Sequence, residues 1–240
     1  MQTTAIIAAY NEEDSIGEVL EALTKSPLID EIIVVSDGST DRTVEIARSF
    51  DVRTIALREN RGKGYAMNVG VEHASHRLLF FVDGDMLNVS SEHIQSLILP
   101  VRDGLCDMNV GVRHRGPVLD FFHLQLHVGP VLSGIRVMLR EVFECVPSQY
   151  RQRFQIETAL NFFAARAGFR QTNTVIYDLG HIIKETKRGV LSGLSSRWDM
   201  SREVFLVQCD LYLFQGWRWV PSEESPVVSE YELFEAELFE

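Results

Sequence analysis

The feature that most constrains this chain is one pattern used repeatedly. A short apolar run ends in a polar cluster, and a segment with apolar residues at helical spacing follows. "TTAIIAAY" (3–10) stops at Asn11, after which Ile16, Val19, Leu20 and Leu23 recur as on an amphipathic helix. "EIIVVS" (31–36), rich in β-branched residues, leads through the turn-forming and helix-capping "DGSTDRT" into the helical "TVEIARSF". "VRTIAL" (52–57) reads as a third strand, "RENRGKG" (58–64) as a basic glycine-bearing loop, residues 65–74 as a helix and "RLLFFVDGD" as a fourth strand. Such alternation with short links predicts a parallel sheet with crossover helices. Sheets of that kind bind ligands beyond the carboxyl ends of their strands. The clusters "YNEE", "SDGST" and "DGD" lie at those ends.

Beyond residue 90 the pattern loosens. A helix near 91–102 and a strand near 107–112 are followed by a linker with short helical pieces over 114–135. "GIRVMLREVFECV" reads as a strand running into a helix, and residues 155–168 as a helix that Gly168 terminates. "QTNTVIYDL" is a strand, 180–189 a polar basic loop and 195–217 a long final helix.

Composition narrows the function. The 240 residues carry a net charge of −11, which argues against a nucleic-acid footprint. Residues 222–240 hold seven Glu and no Lys or Arg, and read as a solvated acidic tail. Cys106, Cys145 and Cys209 lack metal-ligand spacing; without a signal sequence they suggest a reducing cytoplasm. No charge-free apolar stretch reaches 18 residues, so no transmembrane helix is expected, and peripheral contact with a membrane stays open.

Three clusters offer chemistry. Two carboxylates at a strand end, Asp83 and Asp85, suit a hard divalent cation shared with substrate phosphates, although Asp and Gly also simply form turns. Asp37 could accept hydrogen bonds from a base or ribose, or merely start a turn and charge a helix N-terminus. Arg61 and Lys63 suit a pyrophosphate, or else belong to a solvated loop.

Together, "IIAAYNEEDSI", "EIIVVSDGSTDRT", "NRGKGYAMNVGV" and "LLFFVDGDM" resemble the successive motifs of family-2 glycosyltransferases of the GT-A fold, over about the first 90 residues. The resemblance implies an α/β, Rossmann-like GT-A domain with a mostly parallel central sheet and helices on both faces. Its expected extent is 1–221, with a nucleotide-sugar half (1–90), an acceptor half (91–221) and the tail at 222–240. It further implies that Ala9, Tyr10 and Glu12 line a nucleotide pocket, that Asp37 contacts base or ribose, and that Lys63 and Gly64 lie near the phosphates. Asp83 and Asp85 become the D-x-D motif for Mg²⁺ or Mn²⁺, Asp85 being the more direct ligand. A cation there would stabilise the charge on a departing diphosphate.

The second half resembles two groups of relatives. "LSGIRVMLREVF" is similar to the S-G-x-R segment of polyprenyl-phosphate sugar synthases such as dolichyl-phosphate mannose synthase, which makes Arg136 and Arg140 candidates for an acceptor phosphate; a surface arginine at a strand-to-helix junction reads equally well. Glu157 in "FQIETALNFF" resembles the acidic position of glucosyl-3-phosphoglycerate synthases. It would orient an acceptor hydroxyl or act as base, or favour its helix N-terminus. His181 in "LGHIIKETKRG" resembles the histidine that completes the metal site there, with Lys184, Lys187 and Arg188 closing over a diphosphate. "QGWRW" (215–219) matches the Q-x-x-R-W pattern of processive synthases, but their membrane helices and acidic pair are missing, so Trp217 and Trp219 read as packing residues.

The expected activity is metal-dependent transfer of a hexose from UDP-glucose or GDP-mannose to a small phosphorylated acceptor such as 3-phosphoglycerate. A polyprenyl phosphate at the inner membrane face is the alternative acceptor, and a non-catalytic nucleotide-sugar binder the alternative class. A homodimer stays open. A sugar nucleotidyltransferase is disfavoured, since "AAYNEEDS" replaces the glycine-rich basic loop expected after its first strand.

Overall fold

A computed structural model describes residues 1–114, 133–151, 155–178 and 180–181, together with Leu206 and Leu211. The strands are β1 (Thr3–Ala9), β2 (Glu31–Ser36), β3 (Arg53–Ala56), β4 (Leu78–Asp83), β5 (Met86–Leu87), β6 (Met108–Arg113), β7 (Arg136–Leu139), β8 (Gln171–Ile176) and β9 (Gly180–His181). The helices are α1 (Ile16–Thr24), α2 (Thr43–Arg48), α3 (Lys63–His73), α4 (Ser91–Arg102), α5 (Arg140–Glu144) and α6 (Gln155–Arg166). Much of the expected linker, the basic loop after His181, the expected last helix, with Trp217 and Trp219, and the acidic tail lie outside the described residues.

Seven strands form one sheet in the order β3-β2-β1-β4-β7-β6-β8, and β5 pairs with β9 beside it. All pairings in the large sheet are parallel except those of β7, which runs antiparallel to both β4 and β6. The expected mostly parallel sheet is therefore present. The reversed strand keeps β4, β6 and β8 pointing the same way, so their carboxyl ends share one edge with those of β1 and β2.

The strands read as unbroken apolar runs because both faces are covered. Along β4 the side chains alternate. Leu78, Phe80 and Val82 enter a core with α1, α2 and α4, marked by Leu20, Ala47 and Leu97. Leu79 and Phe81 enter the opposite core with α3, α5 and α6, marked by Met67, Phe143 and Leu160. Ile16, Val19, Leu20 and Leu23 are all fully buried, as their spacing predicts. Helix α6 ends at Arg166, two residues before Gly168, whose φ of 81° lets Phe169 N–H reach the Ala164 carbonyl at 3.0 Å. Several boundaries shift from the sequence reading, and two matter for the site: Gly180 and His181, expected in a loop, form β9 against β5, and α3 begins earlier than expected. Lys63 and Gly64 open α3 instead of ending a loop, because Gly62 makes the sharp turn at φ 95° immediately before them.

Candidate functional site

The same alternation that splits the core aims the site. Asp83 ends β4 in phase with Leu79 and Phe81, so its carboxylate faces the layer built by α3 and α6. The first residue of α3 is Lys63 and the third of α6 is Glu157. Their side chains meet Asp83: Lys63 Nζ lies 2.5 Å from Asp83 Oδ1 and 2.6 Å from Glu157 Oε1. The three side chains are only 17%, 24% and 11% exposed. Burial works against the lysine's charge, but the two carboxylates outweigh it and raise the Lys63 pKa above its ordinary value.

Arg136 lies behind this cluster. It pairs with Phe81 across β4 and β7 and is completely buried. Its Nε and Nη2 donate to the Ser133 carbonyl at 3.1 and 2.7 Å, and Nη1 donates to Asn161 Oδ1 at 3.4 Å. Burial lowers its pKa, against the opposing charges of Glu157 and Asp83. An acceptor phosphate, for which the S-G-x-R segment makes Arg136 a candidate, would reach this guanidinium only if it were uncovered. Arg140 is the second candidate from that segment. It lies at the other end of β4, where Leu139 pairs with Leu78. Its guanidinium donates to the carbonyls of Val71, Ala74 and His76 at 2.7, 2.6 and 3.1 Å, closing the C-terminal end of α3.

The turns after β1 and β2 are laced together. Asn11 Oδ1 accepts from Thr40 N–H at 2.8 Å, Glu12 N–H donates to Thr43 Oγ1 at 2.8 Å, and Glu13 N–H donates to Asp41 Oδ2 at 3.1 Å. Ala9 and Glu12 are buried against the aspartate turn: a Cβ on Gly84 would lie 3.2 Å from Ala9 Cβ and 3.3 Å from Glu12 Cγ. Tyr10 is half-buried between them. Asp37 is buried, and its two oxygens accept from the backbone N–H of Arg61 and Gly62, both at 2.8 Å. Its pKa is raised because desolvation exceeds the effect of these donors and of Arg61. Asp37 thus pins the loop that delivers Lys63. Arg61 itself stacks on Tyr65, 4.5 Å from the ring centroid.

Asp85 lies in the turn with Gly84 and is half-buried. One residue later Met86 pairs with His181 in the antiparallel β5-β9 ladder, so the fold brings the His181 backbone beside the aspartate turn from 96 positions away. Among the described residues no three His, Cys, Asp or Glu side chains cluster around one point. The donor set nevertheless suits a hard cation: Asp83 and Asp85 supply carboxylate oxygens at an open strand end, where substrate phosphates complete such sites. Lys184, Lys187 and Arg188 lie outside the described residues. Sequence reasoning gave no role to Ser133 and Gly134, although both stand in the "LSGIR" segment.

A Rossmann-like sheet with paired aspartates at the carboxyl end of its central strand defines a GT-A-type domain. The profile of glycosyl transferase family 2 matches residues 4–141, more than half the chain, and the chain belongs to that family. It is 34% identical over 100 residues to the 4,4'-diaponeurosporenoate glycosyltransferase of Staphylococcus aureus, a match covering 40% of this chain and 27% of the relative. The chain thus spans about a quarter of the length of the curated relatives it matches. Its fold is that of glucosyl-3-phosphoglycerate synthase from Mycobacterium tuberculosis. The complex of that enzyme with Mn²⁺, UDP and phosphoglyceric acid superposes with a TM-score of 0.73 at 23% identity, covering 87% of this chain and 78% of that one. Its complex with Mg²⁺ and UDP gives 0.72 at 23% identity with the same coverage. Among the described residues no helix is long and apolar enough to cross a membrane.

Proposed function

We propose that the chain transfers a hexose from a nucleoside diphosphate sugar, UDP-glucose or GDP-mannose, to a small phosphorylated acceptor such as 3-phosphoglycerate. The observation that carries this reading is the Asp83–Lys63–Glu157 cluster at the carboxyl edge of the sheet, in a family-2 chain. Asp83 and Asp85, with His181, would hold Mg²⁺ or Mn²⁺, which when bound neutralises charge on the departing diphosphate. Lys63 stays protonated at any working pH and supplies a donor to a phosphate oxygen. Asp37 orders the 59–62 loop through two backbone N–H groups, so that Lys63 is delivered at the edge where the nucleotide lies. Glu157, on the acceptor side, orients the acceptor hydroxyl. The mycobacterial neighbour, whose structures contain UDP-glucose, Mn²⁺ and phosphoglyceric acid, supports the choice of ligands.

A polyprenyl phosphate at a membrane surface is the alternative acceptor, suggested by the S-G-x-R segment; the staphylococcal relative, named for the carboxylate 4,4'-diaponeurosporenoate, supports only that acceptors vary within the family. Calorimetry with UDP and GDP, each with and without Mn²⁺, tests the donor site. One nucleotide should bind the wild type at least about tenfold more tightly with Mn²⁺, and Asp85→Ala should lose that gain. Equal gain in the variant, or none in the wild type, rejects the metal site. Turnover of UDP-glucose or GDP-mannose then separates an enzyme from a non-catalytic binder.

A further inference from the structure

The segment that enters β7 is built around the Asp83 carboxylate. Gly134 lies directly against it, and a Cβ placed on Gly134 would overlap both carboxylate oxygens and the carbon that bears them. The φ of Gly134 is outside the left-handed region, so the glycine is there for room and not for backbone freedom. A side chain as small as methyl would compete for the volume in which Asp83 meets Lys63.

The glycine is held in place from both sides. Ser133 Oγ donates to the Gly111 carbonyl at 2.5 Å, anchoring the segment to β6. The Ser133 carbonyl takes two donors from Arg136. The third contact of that guanidinium is Asn161, one helical turn beyond Glu157 on α6. Arg136 therefore ties the backbone beneath Asp83 to the helix that carries Glu157. A buried guanidinium is costly unless its donors are satisfied and its charge is met. Here one carbonyl takes two of its donors, and its charge opposes the Asp83 and Glu157 carboxylates.

We propose that Gly134 and Arg136 are positioning residues for Asp83. Gly134 leaves the space the carboxylate occupies, and Arg136 fixes the Ser133–Gly134 backbone that bounds it. The proposal rests on the reading that Asp83 belongs to a metal–diphosphate site, and groups that orient a metal ligand from behind commonly change metal affinity by about 10- to 100-fold.

The experiment compares wild type, Gly134→Ala and Arg136→Lys. Affinity for UDP or GDP, whichever binds the wild type, is measured by calorimetry with and without Mn²⁺, and thermal midpoints are measured without metal. Gly134→Ala should keep the metal-free nucleotide affinity, because it leaves the Asp37 loop untouched. The extra affinity contributed by Mn²⁺ should fall roughly tenfold or more. Arg136→Lys retains the charge without the paired donors and should lose part of the gain. Full retention of the Mn²⁺ gain in Gly134→Ala overturns the proposal. Absence of any gain in the wild type overturns the metal reading instead, and a stability cycle then tests the contact alone. Whatever Gly134→Ala costs in thermal midpoint should largely vanish in an Asp83→Ala background, including rescue of folding if the single variant does not fold. An equal cost in both backgrounds, or a double variant that also fails to fold, rejects the carboxylate as the reason for the glycine.

Discussion

Replacing Lys63 by Met removes the one cation that, among the described residues, forms ion pairs with both site carboxylates. An ammonium 2.5 Å from Asp83 and 2.6 Å from Glu157 keeps the two oxygens within about 5 Å of each other, where like charges repel by about 3 kcal/mol at an effective dielectric constant near 20. Buried Arg136 offsets part of this, while loss of the ion pair itself adds to it; removing one partner of a buried pair costs roughly 3–5 kcal/mol in general. A net loss of about 3 kcal/mol near pH 8 would lower the thermal midpoint by roughly 6–12 °C in a chain of this size. The sign with pH is defined. In the wild type the folded Lys63 pKa is raised, so its contribution is complete below the unfolded value of about 10.4 and is lost only as pH rises through the folded value. In the variant the two carboxylates are left facing each other without the ammonium, and their repulsion weakens in acid, so the deficit relative to wild type is expected to be larger at high pH than at low pH. Calorimetric midpoints of variant and wild type, compared at matched ionic strength near pH 5 and pH 8, should show a deficit that shrinks in acid. An equal deficit at both pH values, or none at either, refutes this electrostatic account of the cluster.

Two further substitutions probe the frame around the site. Asp37→Asn puts an amide donor against one of the two N–H groups that the carboxylate now accepts, and one buried donor left unmet costs about 1–3 kcal/mol. Faster amide exchange at Arg61 and Gly62 should accompany the lower midpoint, and unchanged exchange would mean that Asp37 does not hold the loop. Arg140→Ala removes three hydrogen bonds to the end of α3 and should cost about 2–3 kcal/mol, yet leave the Mn²⁺-dependent nucleotide affinity at its wild-type value. A selective loss of that affinity would return Arg140 to the site.

Residues 1–85 were legible because their signals are local. Strands covered on both faces read as apolar runs, α1 shows its period directly, and the polar clusters mark the ligand edge. The segment 58–64 reads as a glycine-bearing loop, whereas Gly62 is the sharp turn that lets the helix begin at Lys63. "GIRVMLREVF" reads as a strand entering a helix, as the structure has it, but nothing in it states that the strand runs backwards between β4 and β6.

That limit explains the two arginines. Arg136 and Arg140 look alike in the sequence, four positions apart at one junction. The first opens β7 facing α6 and the second lies past its end, at opposite ends of β4, so one braces the site and the other closes a helix. Lys63 and Glu157 show the converse, 94 positions apart and in contact. Residue type, periodicity and turn chemistry by themselves determined the strands of the large sheet, most of the helices and the edge where aspartates gather, because those depend on neighbours along the chain. Tertiary structure alone decided which charges meet. The reversed β7 and the docking of α3 and α6 on one face place residues by contacts distant in sequence, and no local pattern encodes them.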